Sequence, residues 1–255
     1  MNDLVIILTR YANKQSLITL YKVIANTGMN VIIMEHNGNT KLEGIEIVPF
    51  NDDDLLNSGL NYWRSNIIIP GSNNLPLLYY WNITRKYDHI WMIEDDVYFS
   101  GDWSDFFKQF VGMQDDFITS NIRRYNTDPS WSWWDSMYHP SKAIRKENLI
   151  ASFNPVYRLS SRAMQHLYNA YFEGWTGHHE VVMASLLSNS GFSISDFGGH
   201  GEFVSKGFEA LFYNNNYWNN GQVHNVVTYR YRPIFEYDSI FGSMLQKNKL
   251  YHPVK

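Results

Sequence analysis

YDHIWMIEDDVYFSGDW, residues 87–103, carries four apolar side chains (Ile90, Trp91, Met92, Ile93) straight into three carboxylates (Glu94, Asp95, Asp96). A short, fully apolar run of this kind reads as a strand buried on both faces of a parallel sheet. Ligands of open α/β sheets bind outside the carboxyl ends of the strands, which is where these three acids fall. Acids also favour turns for purely local reasons, so a solvated turn is the plain alternative. Three adjacent like charges repel, however, and that cost is relieved when a cation is shared. Mg²⁺ and Mn²⁺ take oxygen ligands and keep positions open for phosphate. A cation held here can neutralise a departing diphosphate.

Working outward, Leu4–Leu8 is a second apolar run, and Leu17, Leu20, Tyr21 and Ile24 have helical spacing before Gly28. Val31–Met34 and Ile45–Val48 read as strands, so the first fifty residues form a βαβ unit. Residues 51–73 read as a long loop with a short strand at Ile67–Ile69, followed by a helix over Asn74–Thr84. Beyond the acidic turn the pattern predicts a helix at Asp105–Val111, a strand at Asp116–Ser120 and an aromatic loop over 126–139. A strand at Ala151–Leu159 precedes a helix capped by Ser160 or Ser161 and running to Tyr171. His179–Leu187 reads as a helix and Ser193–Asp196 as a strand, and after Gly198 no period is clear. With no repeat and no dividing linker, the expectation is one α/β domain over residues 1–255. Residues 1–120 hold the βαβ unit and the acidic turn, and residues 121–255 the less regular remainder.

Composition narrows the function. The 255 residues are 44% hydrophobic, 16% aromatic and 18% charged, which suits a folded globule rather than a tail or a coiled coil. A net charge of −4 argues against nucleic acid as a partner. With no cysteine, thiolate metal sites and thiol nucleophiles are excluded. The run Leu4–Leu8 is too short for a signal peptide or a membrane span. The expected setting is therefore cytoplasmic with no transmembrane segment, and peripheral membrane association is left open. The aromatic surplus (9 Trp, 18 Tyr, 15 Phe) raises the question of a flat partner such as a sugar ring.

The strand, the Glu-Asp-Asp turn and the hydrophobic-aromatic residues after it resemble the DxD region of GT-A-fold glycosyltransferases. The Glu-Asp-Asp form is similar to that of the N-acetylglucosaminyltransferase I type. The likeness extends over PGSNNLPLLYYWNITRKYDHIWMIEDDVYFSGDWSDFF, residues 70–107, and agrees with the N-terminal βαβ unit. The resemblance implies Mn²⁺ or Mg²⁺ as cofactor, with Asp96 as direct ligand and Glu94 and Asp95 near the ribose, the metal waters or the sugar. It implies a GT-A-like single domain, with a Rossmann-like nucleotide-binding half and mixed central sheet over 1–120 and an acceptor-binding half over 121–255. It implies a nucleoside-diphosphate sugar, UDP- or GDP-linked, lying across the first strands. Thr9, Arg10 and Tyr11 would then meet the nucleoside, Glu35 the base or ribose, and Arg64 the diphosphate. A histidine returning from the C-terminal region, here His252 beside Pro253, would complete the metal shell, and Lys255 would add a phosphate contact.

An inverting transferase needs a general base, usually a carboxylate within reach of the acceptor hydroxyl. EGWTGHHEVVMASLL, residues 173–187, offers Glu180 at a helix start after two glycines, with Trp175 close by in the turn. Asp135 and Asp196 are the fallback bases. Glu180 could equally serve the helix dipole. In the loop SWSWWDSMYHP, residues 130–140, Trp131, Trp133 and Trp134 offer faces for a glycan or lipid-linked acceptor, or form a lid or a half-buried strand. Trp103, Trp175 and Trp218 also fall in predicted loops or turns. The expected function is metal-dependent transfer of a sugar from a nucleotide donor to a glycan or lipid-linked glycan. Two alternatives stand beside it. One is a lectin-like carbohydrate-binding protein with Ca²⁺ at Glu94–Asp96. The other is a sugar nucleotidyltransferase, although LTRYANKQS after the first strand has none of the glycines of a phosphate loop.

Overall fold

The computed structural model describes residues 2–60, 71–214, 227–236 and 245–255. Arg64, Trp218 and the strand expected at Ile67–Ile69 lie outside them. The elements are β1 (Asp3–Thr9), α1 (Gln15–Ala25), β2 (Asn30–His36), β3 (Ile47–Phe50), α2 (Asp52–Asn57), α3 (Asn74–Thr84), β4 (His89–Glu94), β5 (Tyr98–Phe99) and α4 (Trp103–Lys108). Then follow β6 (Phe117–Arg124), β7 (Ile150–Ser160), α5 (Ser161–Phe172), α6 (His179–Asn189), β8 (Ile194–Asp196) and β9 (Leu250–Tyr251).

One seven-stranded mixed sheet has the order β3-β2-β1-β4-β7-β6-β8. β1, β2, β3 and β4 run parallel, while β7 is antiparallel to both β4 and β6. The α/β class and the mixed central sheet expected from the sequence are what the chain has. Alternation along the strands divides the core between two faces. Leu4, Ile6, Ile90 and Met92 pack on the face that carries α3, α5 and α6. Val5, Ile7, Trp91 and Ile93 pack on the face that carries α1 and α4. The register sets Thr9 beside Glu35 and Leu8 beside Glu94, so the ends of three strands collect their polar residues on one edge.

Several boundaries differ from expectation. The third strand starts at Ile47, because it is shifted to pair Ile33–His36. Residues 52–57 form a helix where the sequence pattern predicts a loop. Asn51 caps it, accepting from the Asp54 N–H, while the Asp54 carboxylate accepts from the Asn51 N–H. That capping box is carried by side chains in a stretch without apolar period. α4 begins at Trp103, because Asp102 caps it two residues earlier than the apolar spacing indicates. Trp103 is therefore no loop tryptophan. It is buried in an aromatic cluster with Phe99, Phe106 and Phe107, at centroid distances of 5.2, 5.2 and 5.6 Å.

Ser160 caps α5, accepting from the Ala163 N–H, and donates its own hydroxyl to the fully buried Asp116 at 2.7 Å. Asp116 also accepts from the Ser193 N–H (3.1 Å) and hydroxyl (3.0 Å) and from the Arg162 guanidinium. These bonds tie β6, β7 and the approach to β8 at the edge opposite the acidic turn. Asp116→Ala is expected to cost about 2 kcal/mol, the desolvation left with the orphaned Ser160 hydroxyl and neighbouring donors. It should appear as a lower urea midpoint at unchanged slope, and an unchanged midpoint would show that water replaces the carboxylate without loss.

Candidate metal and donor site

β4 ends at Glu94, and the turn of Asp95–Asp96 leads into β5. β5 pairs antiparallel with β9, Tyr98 opposite Tyr251 and Phe99 opposite Leu250. That pairing delivers His252 onto the acidic turn. Its Nε2 lies 3.2 Å from a carboxylate oxygen of Glu94 and 3.2 Å from one of Asp96. The Val254 N–H donates to the Asp96 carbonyl at 2.8 Å, and the Lys255 N–H donates to the Phe235 carbonyl at 2.9 Å. The segment that carries His252 is thus fixed by backbone bonds rather than frayed.

His252 Nδ1 lies 2.8 Å from the Arg230 carbonyl. A carbonyl can only accept, so Nδ1 carries a hydrogen and Nε2 is the nitrogen turned to the acids. Glu94, Asp96 and His252 each offer a ligand atom within 4.8 Å of the others. The two carboxylates are oxygen ligands of the kind a hard divalent cation takes, and the imidazole adds one nitrogen donor. Asn73 donates its amide to Glu94, while its carbonyl oxygen is buried with no hydrogen-bond partner among the described residues. An unmet acceptor beside the cluster fits a site that takes a hydrated ion.

Each acid of the turn has cationic company. Asp95 accepts from the Lys14 ammonium at 2.8 Å and from the Thr9 hydroxyl at 2.6 Å. Lys255 lies 3.8 Å from Asp96. Burial works against ionised Asp96, yet His252 and Lys255 hold its pKa below the ordinary value. Burial likewise opposes a charged His252, and the two carboxylates overcome it, raising its pKa to about 9.

Glu180 sits at the first turn of α6, where His178 Nδ1 caps the helix by accepting from the Glu180 N–H at 3.4 Å. Gly177 has φ +145°, and a Cβ there would stand 2.7 Å from the Ser136 carbonyl, so the turn requires glycine. The Glu180 carboxylate lies 3.7 Å from His178. Burial raises its pKa to about 8, Arg123 opposes the rise, and Glu94 adds to it. His252 lowers it in turn.

Other expected residues take different places. Glu35 is buried, and its oxygens accept from the Ala12 N–H (2.8 Å), the Thr40 N–H (2.9 Å) and the Thr40 hydroxyl (2.8 Å). It ties the loop after β1 to the loop after β2 rather than presenting a vacant acceptor to a nucleoside. Asp196 accepts from the Gly198 and Gly199 N–H groups and from Tyr213, and is buried, so it is a loop anchor rather than a base. Asp135 is exposed and pairs with Lys146. Arg10 and Tyr11 are exposed beyond Thr9, whose hydroxyl accepts from the Tyr11 N–H at 3.0 Å.

The tryptophans divide. Trp134 is buried and donates its indole N–H to the Asp128 carbonyl at 2.7 Å, so it has no face for an acceptor. Trp131 and Trp133 are half-buried: Arg123 lies over Trp131 at 4.6 Å, and Trp133 stacks on His178 at 5.1 Å. Trp175 is half-buried, with His139 against its ring at 4.9 Å. The sequence reading missed Lys14, Asn73, Arg123 and the Arg230 carbonyl. Each reaches the site across 21 or more residues or through a backbone atom, and local pattern gives no sign of either.

No family model and no curated protein matches the chain. Solved structures that match in part include the galactosyltransferase LgtC in complex with donor and acceptor sugar analogs. It has 12% identity and a TM-score of 0.45 over 77% of this chain and 73% of that one. The inositol-1-phosphate CTP transferase from T. maritima matches at 9% identity and TM-score 0.42, covering 77% and 84%. Mouse xyloside xylosyltransferase 1 matches at 10% and 0.39, covering 77% and 84%. Similarity of this extent decides no reaction. Among the described residues, no helix is long and apolar enough to cross a membrane.

The folded imidazole of His252 keeps its proton up to about pH 9, against 6.5 for an ordinary histidine. The stability its ion pairs contribute is complete below pH 6.5 and is lost as pH climbs through 9. In EDTA, wild type is expected to lose about 3 kcal/mol across that window by urea titration. His252→Asn should lack this component, and parallel curves for the two proteins would show that the imidazole is not charged.

Proposed function

We propose that the chain is a metal-dependent glycosyltransferase that moves a sugar from a UDP- or GDP-sugar to a hydroxyl of a glycan or lipid-linked glycan. The observation that carries this reading is the Glu94–Asp96–His252 donor set at the carboxyl end of β4. Glu94, Asp96 and His252 would hold Mn²⁺ or Mg²⁺, which when bound offsets the negative charge of a leaving diphosphate. The resemblance of the Glu-Asp-Asp turn to the GT-A type supports the same class.

The chain's own groups have assignable tasks. Thr9, Arg10 and Tyr11 bound the nucleoside side of the edge, and Asp95, oriented by Thr9 and Lys14, faces the ribose or sugar. Lys255 adds positive charge beside Asp96 for the diphosphate. Glu180 accepts the proton of the acceptor hydroxyl. That oxygen then bonds to the anomeric carbon, and the bond from this carbon to the diphosphate breaks, its electron pair leaving with phosphate. This order gives inversion at the anomeric carbon. Half-buried Trp131 and Trp133 flank the Glu180 turn and supply apolar faces that limit water there.

The choice between this reading and a lectin or nucleotidyltransferase lies in ligand dependence. UDP or GDP should raise the melting temperature only with Mn²⁺ or Mg²⁺ present, and Asp96→Ala should remove the shift. A shift from free glycans alone, with none from any nucleotide plus metal, would point to the lectin. A nucleoside triphosphate and sugar phosphate that together give a nucleotide sugar would point to the nucleotidyltransferase. Glu180→Gln should lower kcat about a hundredfold or more while leaving metal-dependent nucleotide binding in place. Because the base must be ionised, the wild-type rate should rise with pH along a limb at or below pH 8, since bound cations draw the Glu180 pKa down from about 8. A retained product configuration by NMR would remove Glu180 from the role of base.

A further inference from the structure

A pocket of about 220 Å³ lies between the end of α6 and the segment that leads into β7, and none of its lining residues belongs to the metal cluster. Met137 and Leu149, both buried, and half-buried Trp175 line it. Arg145, Asn148 and Asn189 stand exposed at its rim. The lining is thus one aromatic face among polar groups, in a space of the size of a single ring rather than of a larger ligand. Its chemistry suits a sugar ring in particular. The indole offers a flat apolar surface to the C–H face of a pyranose, and each rim amide carries both a donor and an acceptor for hydroxyls. His139 backs the indole at 4.9 Å and Lys142 lies 5.6 Å from its centre, so the ring is held rather than free to swing.

The place of this pocket relative to Glu180 gives it meaning. Glu180 is at the start of α6 and Asn189 at its end, nine residues on, which is about 13 Å along the axis. β7 begins at Ile150 and reaches Val156, the partner of Ile93 beside the acidic turn, six residues later, or about 20 Å of strand. The pocket at Asn148 and Leu149 therefore lies outward from the reaction edge, on the same end of the sheet. Ser185 on α6 is bonded at 3.0 Å to both the Ile150 N–H and its carbonyl, which fixes this outward course. Trp175 and Glu180 are joined by one short turn, whose Thr176 exchanges backbone bonds with Tyr138 at 2.8 and 3.0 Å.

We infer that this pocket is a distal acceptor subsite, which binds one ring of an oligosaccharide while a ring several glycosidic units away presents its hydroxyl to Glu180. The inference rests on the transfer reading and names its acceptor class: a chain of several sugars rather than a monosaccharide. A single sugar cannot span the two places.

The test is a printed array of mono- to decasaccharides probed with labelled protein, without nucleotide. Wild type should bind a set of chains of three or more units and no monosaccharide. Trp175→Ala should weaken binding about tenfold. Arg145→Ala with Asn148→Ala, both exposed and neutral to folding, should weaken it as well. Asp96→Ala should leave the profile unchanged. No bound glycan, binding untouched by all the pocket variants, or loss of binding in Asp96→Ala would each overturn the subsite. Array silence with metal-dependent nucleotide binding intact would sink the subsite alone. Array binding with no nucleotide binding under any metal would sink the transfer reading instead.

Discussion

The site depends on one arrangement of charge: an imidazole laid between two carboxylates at the end of a buried strand. β4 has no choice but to end in acids at the sheet edge, and acids placed side by side repel. His252, Lys14 and Lys255 relieve that repulsion within the protein itself. His252 does so at 3.2 Å from both Glu94 and Asp96, with its far nitrogen fixed by the Arg230 carbonyl. The two-residue pairing of β5 with β9 and the Val254 bond to the Asp96 carbonyl hold it there. An arrangement that is balanced as an ion pair becomes a donor set once the imidazole gives up its proton.

The acceptor side is organised by shape instead. Gly177 lets the turn before α6 press against the Ser136 carbonyl, and His178 then caps the helix and stacks on Trp133. Glu180 is left in a confined place where burial outweighs the attraction of Arg123. The same turn carries Trp175 outward to a separate pocket. One short segment of chain thus serves two places at once.

Carboxylates that were equal on paper are unequal in the fold. Glu35 and Asp196 have their oxygens filled by N–H and O–H donors and act as loop ties. Glu94 and Asp96 instead converge on His252, and Glu180 pairs with His178 at the start of α6. The tryptophans part in the same way: Trp103 and Trp134 are core, while Trp131, Trp133 and Trp175 keep part of their surface in solvent. Part of the aromatic excess of the composition is a packed cluster that holds Trp91 of β4 with Phe99, Trp103, Phe106 and Phe110.

The sequence by itself determined the α/β class, the strand that ends in Glu94 and the glycine turn before Glu180. Each rests on local physics: apolar runs demand burial, adjacent acids demand a partner, and a left-handed turn demands glycine. It missed α2, whose signal is a reciprocal cap rather than an apolar period. Only the tertiary structure decided which groups meet. His252 is 156 residues from Asp96, and Lys14 is 81 from Asp95. Whether a tryptophan lies inside or at a rim, or a carboxylate is saturated or available, depends on neighbours that come from other strands. Those neighbours are chosen by the order β3-β2-β1-β4-β7-β6-β8, which no local pattern encodes.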